Sequence, residues 1–145
     1  MRRCAWLAAA LVLAAVAQAD DKADAVKKEL AKLEGSWKMV SMEIDGNKAS
    51  EDDVAKIVLV LKGENYSVEG ADQEFKGTLT FDPTKKPKTV ERKETEGPGK
   101  GETGHGIYEL EGDELKLCFA ANGKDRPGKF TGEEGHQLFV FQRKK

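Results

Sequence analysis

The amino-acid sequence predicts an all-β protein, a single antiparallel up-and-down β-barrel of about eight strands with a short N-terminal helix. Three observations carry this. From Ser36 onward, apolar and polar residues alternate with a period of two in short runs, the pattern of half-buried strands. Turn chemistry separates the runs: Asp45-Gly46 and Gly112-Asp113 are hairpin dipeptides, and Asp82-Pro83, Lys86-Pro87 and Gly97-Pro98-Gly99 break the chain. Finally, Gly35-Ser36-Trp37, a G-x-W, follows a helical segment and opens the first strand, where a single indole can close one end of a barrel. Short strands with local connections favour closure, because closure leaves no unpaired edge.

The elements follow in order. Residues 1–19 read as a signal peptide: Met1-Arg2-Arg3 is basic, Ala5 to Val16 is apolar but short of the ~20 residues a membrane span needs, and Ala17-Gln18-Ala19 is an A-x-A site. Cleavage is expected after Ala19, giving an exported product, periplasmic or secreted, that starts at Asp20. Residues 20–33 form the N-terminal helix, with Val26, Leu30 and Leu33 on one narrow stripe that can plug or flank the barrel. Residues 34–145 form the barrel domain. Its strands are expected near 36–45, 56–62, 65–70, 74–81, 87–94, 104–111, 114–120 and 136–143. Ser50-Glu51-Asp52-Asp53 has the S-x-x-D form of a helix start, so one or two helical turns, as a lid or a plain connector, are expected between the first two strands. Ile57 to Leu61 is apolar on both faces, which calls for cover on the outside, for instance by the N-terminal helix.

Composition narrows the function classes. The chain has 145 residues, 24 Lys and Arg against 26 Asp and Glu, and a formal charge of −2. That is one domain, large enough to bury a core without covalent staples. The charges are interspersed, so no basic stripe suits nucleic acid, and no second apolar stretch suits an integral membrane segment after cleavage. Cys4 lies in the signal segment. Cys118 is then alone and reads as a small strand hydrophobe.

Alternation assigns the faces. Phe75, Leu79 and Phe81 share a side, as do Leu117 and Phe119, and Phe139 and Phe141; with Trp37, Met39 and Tyr108 they make an apolar inner wall. Glu43 shares parity with Trp37, Met39 and Ser41, so two placements stay open: inward, with Arg92 or Arg126 as its partner, or exposed at the rim where the strand ends. Glu43 and Arg126 are therefore the rim candidates for holding a polar head group. Eight-stranded barrels either fill with their own side chains or hold a ligand. Two functions stay open: binding of a small apolar or amphipathic ligand, and a filled barrel serving as a protein-interaction or cell-envelope structural module.

No catalytic constellation emerges, so an enzyme is not expected. His105 and His136 are the only imidazoles, each at a strand start, and could meet Cys118 only through the fold. Two isolated His and one Cys lack metal-ligand spacing, so no metal is expected. Gly99-Lys100-Gly101-Glu102-Thr103-Gly104 satisfies G-x-G-x-x-G, yet it precedes a strand rather than a helix, so no dinucleotide cofactor is expected. Asn65-Tyr66-Ser67 is a formal glycosylation sequon.

Two of these motifs carry a resemblance. Gly35-Ser36-Trp37, and Arg143 in the last strand, resemble the first-strand G-x-W and C-terminal Arg of the calycin superfamily, the lipocalins and fatty-acid-binding proteins. The resemblance implies that Gly35, Trp37 and Arg143 are structural, with the guanidinium packed on the indole. Along most of the chain, L-E-G-S-W-K at 33–38, D-P-T-K-K-P at 82–87, G-I-Y-E-L-E-G-D at 106–113 and L-K-L-C-F-A at 115–120 resemble an uncharacterised exported lipocalin-like domain family common in planctomycete bacteria. Gly123-Lys124-Asp125-Arg126-Pro127 belongs to the same match. The resemblance implies the barrel and export, and brings no catalytic residue with it.

Overall fold

The computed structural model describes residues 21–121 and 124–144; the signal segment and the start at Asp20 lie outside the described residues. Helix α1 spans 21–33. It is followed by β1 (Gly35–Ile44), β2 (Asn47–Lys48), the short helix α2 (Glu51–Val54), β3 (Val58–Lys62), β4 (Asn65–Glu69), β5 (Phe75–Asp82), β6 (Thr89–Glu96), β7 (Thr103–Glu111), β8 (Glu114–Ala120) and β9 (His136–Arg143). All strand pairings are antiparallel, neighbours in sequence pair in turn, and β9 pairs back onto β1. The sheet is therefore a closed up-and-down barrel of β1 and β3–β9, as the alternation predicts. The two-residue β2 extends only the far end of β1, through the Asp45-Gly46 hairpin.

Local chemistry sets the boundaries. Ser50 caps α2, its hydroxyl accepting from the Asp53 amide at 3.2 Å. Asp82 turns the chain by accepting from the Thr84 amide at 3.0 Å, which ends β5. β6 starts at Thr89, two residues later than expected, beyond this turn and Pro87, whose nitrogen has no hydrogen to give a ladder.

One irregularity redirects a whole face. The β1–β9 register shifts between Met39 and Ser41, leaving Val40 as the extra residue of a β-bulge. Before the bulge, Trp37 and Met39 face inward. After it the parity reverses, so Met42 pairs with Phe139 and Ile44 with Gln137 on the inner face. Ser41 and Glu43 turn outward, and Val40 is exposed.

The core is concentrated at the end where β1 begins. Leu33, Trp37, Leu61, Phe81, Val90, Tyr108 and Leu115 are all buried there, each large side chain contributing on the order of 1.5–3 kcal/mol. The Phe81 and Tyr108 rings meet edge to face, 4.9 Å apart. Of the two placements open to it, α1 takes the plug. The Trp37 indole donates to the Leu33 carbonyl at 2.8 Å. Buried Glu29 accepts from the Tyr108 hydroxyl at 2.9 Å and from Lys88 at 3.0 Å. The Arg143 guanidinium lies 4.3 Å from the Trp37 ring and donates to the carbonyl of Lys32, which the helix end leaves without an intrahelical partner, and to that of Glu34 just beyond the helix. Gly35 makes this junction possible: its φ of +129° is outside the range of other residues, and a Cβ there would lie 3.4 Å from the Arg143 guanidinium. No helix among the described residues is long and apolar enough to cross a membrane.

Candidate functional site

At the opposite end the barrel is not filled. A cavity of about 830 Å³ enters between α2 and the loops after β4 and β6, and reaches down the inner wall. Its lining is mostly apolar. Met39, Phe75, Leu79, Leu117, Phe119, Phe139 and Phe141 of the expected set line it, joined by Met42, Ile44, Ile57, Leu59 and Val68. Trp37, Phe81 and Tyr108, also expected as lining, instead form the packed floor beneath it. Burial first, and then the bond to Glu29, pushes the Tyr108 phenol well above its ordinary range, so it stays neutral as the donor that fastens α1.

The two expected rim residues stand elsewhere. Glu43 faces outward because of the Val40 bulge, and its side chain packs against Gly132 of the loop before β9. Arg126 lies on the outer wall, where it pairs with Glu91 and donates to the carbonyls of Val90 and Gly106. Glu91 alternates with the inward Val90 and Arg92, and it also meets His105 across the strand. These contacts fasten the 124–135 segment over the outside of β6–β9. Cys118 is buried beneath the same segment, its thiol facing the carbonyls of Thr131 at 3.3 Å and Lys129 at 3.7 Å. Burial raises its pKa, only partly offset by the Thr131 contact. His105 pairs with Glu91 and His136 approaches the Glu134 carbonyl, so neither is a partner of Cys118 among the described residues. No group of three metal-ligating side chains forms among the described residues.

Polar groups line the cavity from two sides: Asp53, Lys56, Asp72 and Gln73 beside α2 and in the loop after β4, and Tyr66, Arg92, Glu94, Glu102, Thr103 and Gln137 from β4, β6, β7, β9 and the loop before β7. Arg92 pairs with inward Leu79, and its guanidinium stacks 4.4 Å from the Phe119 ring. It donates to the Gln137 side chain at a long 3.4 Å. Glu94, two residues on, faces the same interior, and Glu102 lines the mouth. Tyr66 stands on the same wall, separated from Glu94 only by Gly77 of β5, where a Cβ would meet the Tyr66 ring at 2.8 Å. The Tyr66 hydroxyl is buried with no hydrogen-bond partner among the described residues. Burial raises its pKa, with Arg92 pulling the other way and Glu94 adding to the rise. A cavity of this size, apolar with a few convergent polar groups, has the form of a small-molecule site.

Protein-family models, curated proteins and solved structures contain no match to the chain.

Proposed function

We propose that this protein is an exported, lipocalin-like carrier that holds a small apolar or amphipathic molecule in the open half of its barrel, and that it acts by binding rather than by catalysis. The observation that carries the reading is the cavity of about 830 Å³, within the roughly 300–1,000 Å³ typical of ligand pockets. The Arg143–Trp37 stack supports the lipocalin-like assignment, and residues 1–19 support export. The mouth offers access, the walls offer apolar contact, and Arg92, Tyr66 and Gln137 offer polar contact to a head group.

A fluorescent fatty-acid or aminonaphthalene probe should bind saturably at micromolar concentration. Phe119→Trp or Leu117→Trp, which fill the cavity, should weaken it at least about tenfold, while Lys116→Trp on the outer face should not. The packed floor of Trp37, Phe81 and Tyr108 favours a second reading, a barrel that serves as a structural or protein-interaction module. Absence of saturable probe binding, with the two inward substitutions only lowering stability, would decide for that second reading.

A further inference from the structure

The cavity is lined by charges of both signs, Asp53, Lys56 and Asp72 beside α2 and the loop after β4, and Arg92, Glu94 and Glu102 on the side of β6, and none of the six forms an ion pair among the described residues. Glu94 and Glu102 come from β6 and from the loop leading into β7, and their carboxylates crowd the same point beside Gly99, where a Cβ would be 2.9 Å from Glu102. Neither carboxylate forms an ion pair among the described residues. Two like charges held together favour a cation between them. On the same wall, Arg92 forms no ion pair either. Its one hydrogen bond among the described residues is the long contact to the neutral Gln137 amide, although a guanidinium carries five N–H donors. Its face is occupied by Phe119, which leaves the edge of the fork for a planar anion. Arg92 and Glu94 are alternate residues of one strand, so their Cα atoms lie about 7 Å apart and both side chains leave from the inner face.

A third group is independent of the charges. The Tyr66 side chain is 6 % exposed, yet its hydroxyl has no partner among the described residues. A buried hydroxyl left without a partner is unfavourable, and a ligand oxygen or nitrogen beside Arg92 and Glu94 relieves that cost.

We infer that the ligand of this cavity is a zwitterion: an apolar body bearing an ammonium group for Glu94 and Glu102 and, next to it, a carboxylate for Arg92. The inference rests on the proposed carrier function and narrows it. A simple fatty acid would satisfy Arg92 but bring its carboxylate beside two others. A simple alkylamine would satisfy the carboxylates but face an unpaired guanidinium. An α-amino acid head on an aliphatic or aromatic body meets both, with its body against Met42, Ile44, Ile57, Val68, Phe75 and Phe139.

Calorimetric titration of the full chain with three ligands of matched chain length tests this: dodecanoic acid, dodecylamine and 2-aminododecanoic acid, all below their aggregation limits. The amino acid should bind at least about tenfold more tightly than either of the others. Arg92→Gln should bring the amino acid down to the affinity of the amine. Glu94→Gln combined with Glu102→Gln should bring it down to that of the acid. Arg92→Lys should keep most of the preference. If the acid or the amine binds the wild-type protein as tightly as the amino acid, the zwitterion inference is overturned while the carrier function stands, and that comparison needs no variant to fold. If none of the three binds saturably, both fall together.

Discussion

Arg143 joins three parts of the molecule at once. Its guanidinium covers the Trp37 ring, bonds the last carbonyls of α1, and lies 3.6 Å from Asp113 in the β7–β8 turn. Arg143→Ala should lower stability by about 2 kcal/mol and shift the Trp37 emission, read in a Trp6→Phe background by denaturant unfolding followed by fluorescence. Arg143→Lys keeps the charge but not the fork, and should recover only part of the loss. This contact was expected from the resemblance that Gly35-Ser36-Trp37 and Arg143 carry, and it agrees with parity, because Trp37 near the start of β1 and Arg143 at the end of β9 share the faces of their inward neighbours. The outward face of Glu43 was not legible, for an equally local reason. The run Lys38-Met39-Val40-Ser41-Met42 has apolar residues on both parities, so nothing in its composition marks the one residue that slips out of the ladder. Arg92 and Glu94 were hidden differently. The strand Thr89–Glu96 is polar on both faces, so alternation cannot say which charges enter the barrel; only its pairing with the inward Gly77, Leu79 and Phe81 does.

At the scale of the element, the bulge and the 82–88 turn determine where the site is and how firmly it is built. Deleting Val40 removes the extra residue, so Ser41 follows Met39 directly and Met42 and Ile44 keep the inner face in a regular ladder. The variant should therefore lose no more than about 1 kcal/mol in urea unfolding; a loss of more than about 3 kcal/mol would show that Val40 does more than set the parity of the face. The turn after β5 makes a pH prediction. Burial alone would raise the Asp82 pKa, but the Thr84 hydrogen bonds and Lys22 at 3.2 Å outweigh it and hold the carboxyl below its ordinary value. The folded state therefore binds this proton more weakly than the unfolded chain. Its contribution to stability is fully present above the unfolded pKa and is lost as pH falls through the folded one. Asp82→Asn should flatten the acid limb of a stability profile measured by urea unfolding between about pH 2 and 6, and leave α1 docked. The strands themselves were legible to within about two residues, because Gly, Pro and Asp mark nearly every turn by the conformations they allow.

The whole molecule is divided by depth. One half is closed by α1, Trp37 and Arg143 and packed by Phe81, Val90, Tyr108 and Leu115; the other half is an open, mostly apolar cavity whose charged residues form no ion pair among the described residues. Closure of the barrel followed from strand number and turn spacing, but the division did not. Whether an eight-stranded barrel fills depends on how each ring of inward side chains sums in volume, and that sum needs the register, the bulge and the small residues at Gly77, Gly104 and Gly106 that make room for Tyr66, Arg92 and Phe119. The proposed carrier function requires that a ligand enter the open half. Methionine methyl NMR tests it most directly, because Met39 and Met42 both line the cavity and Met1 is the only other methionine of the chain. On titration with the amphipathic probe, the Met39 and Met42 methyl resonances should shift together and saturate with one affinity, and Leu117→Trp should abolish the shift. Methyl resonances that stay in place while the probe binds elsewhere, or does not bind at all, would contradict it.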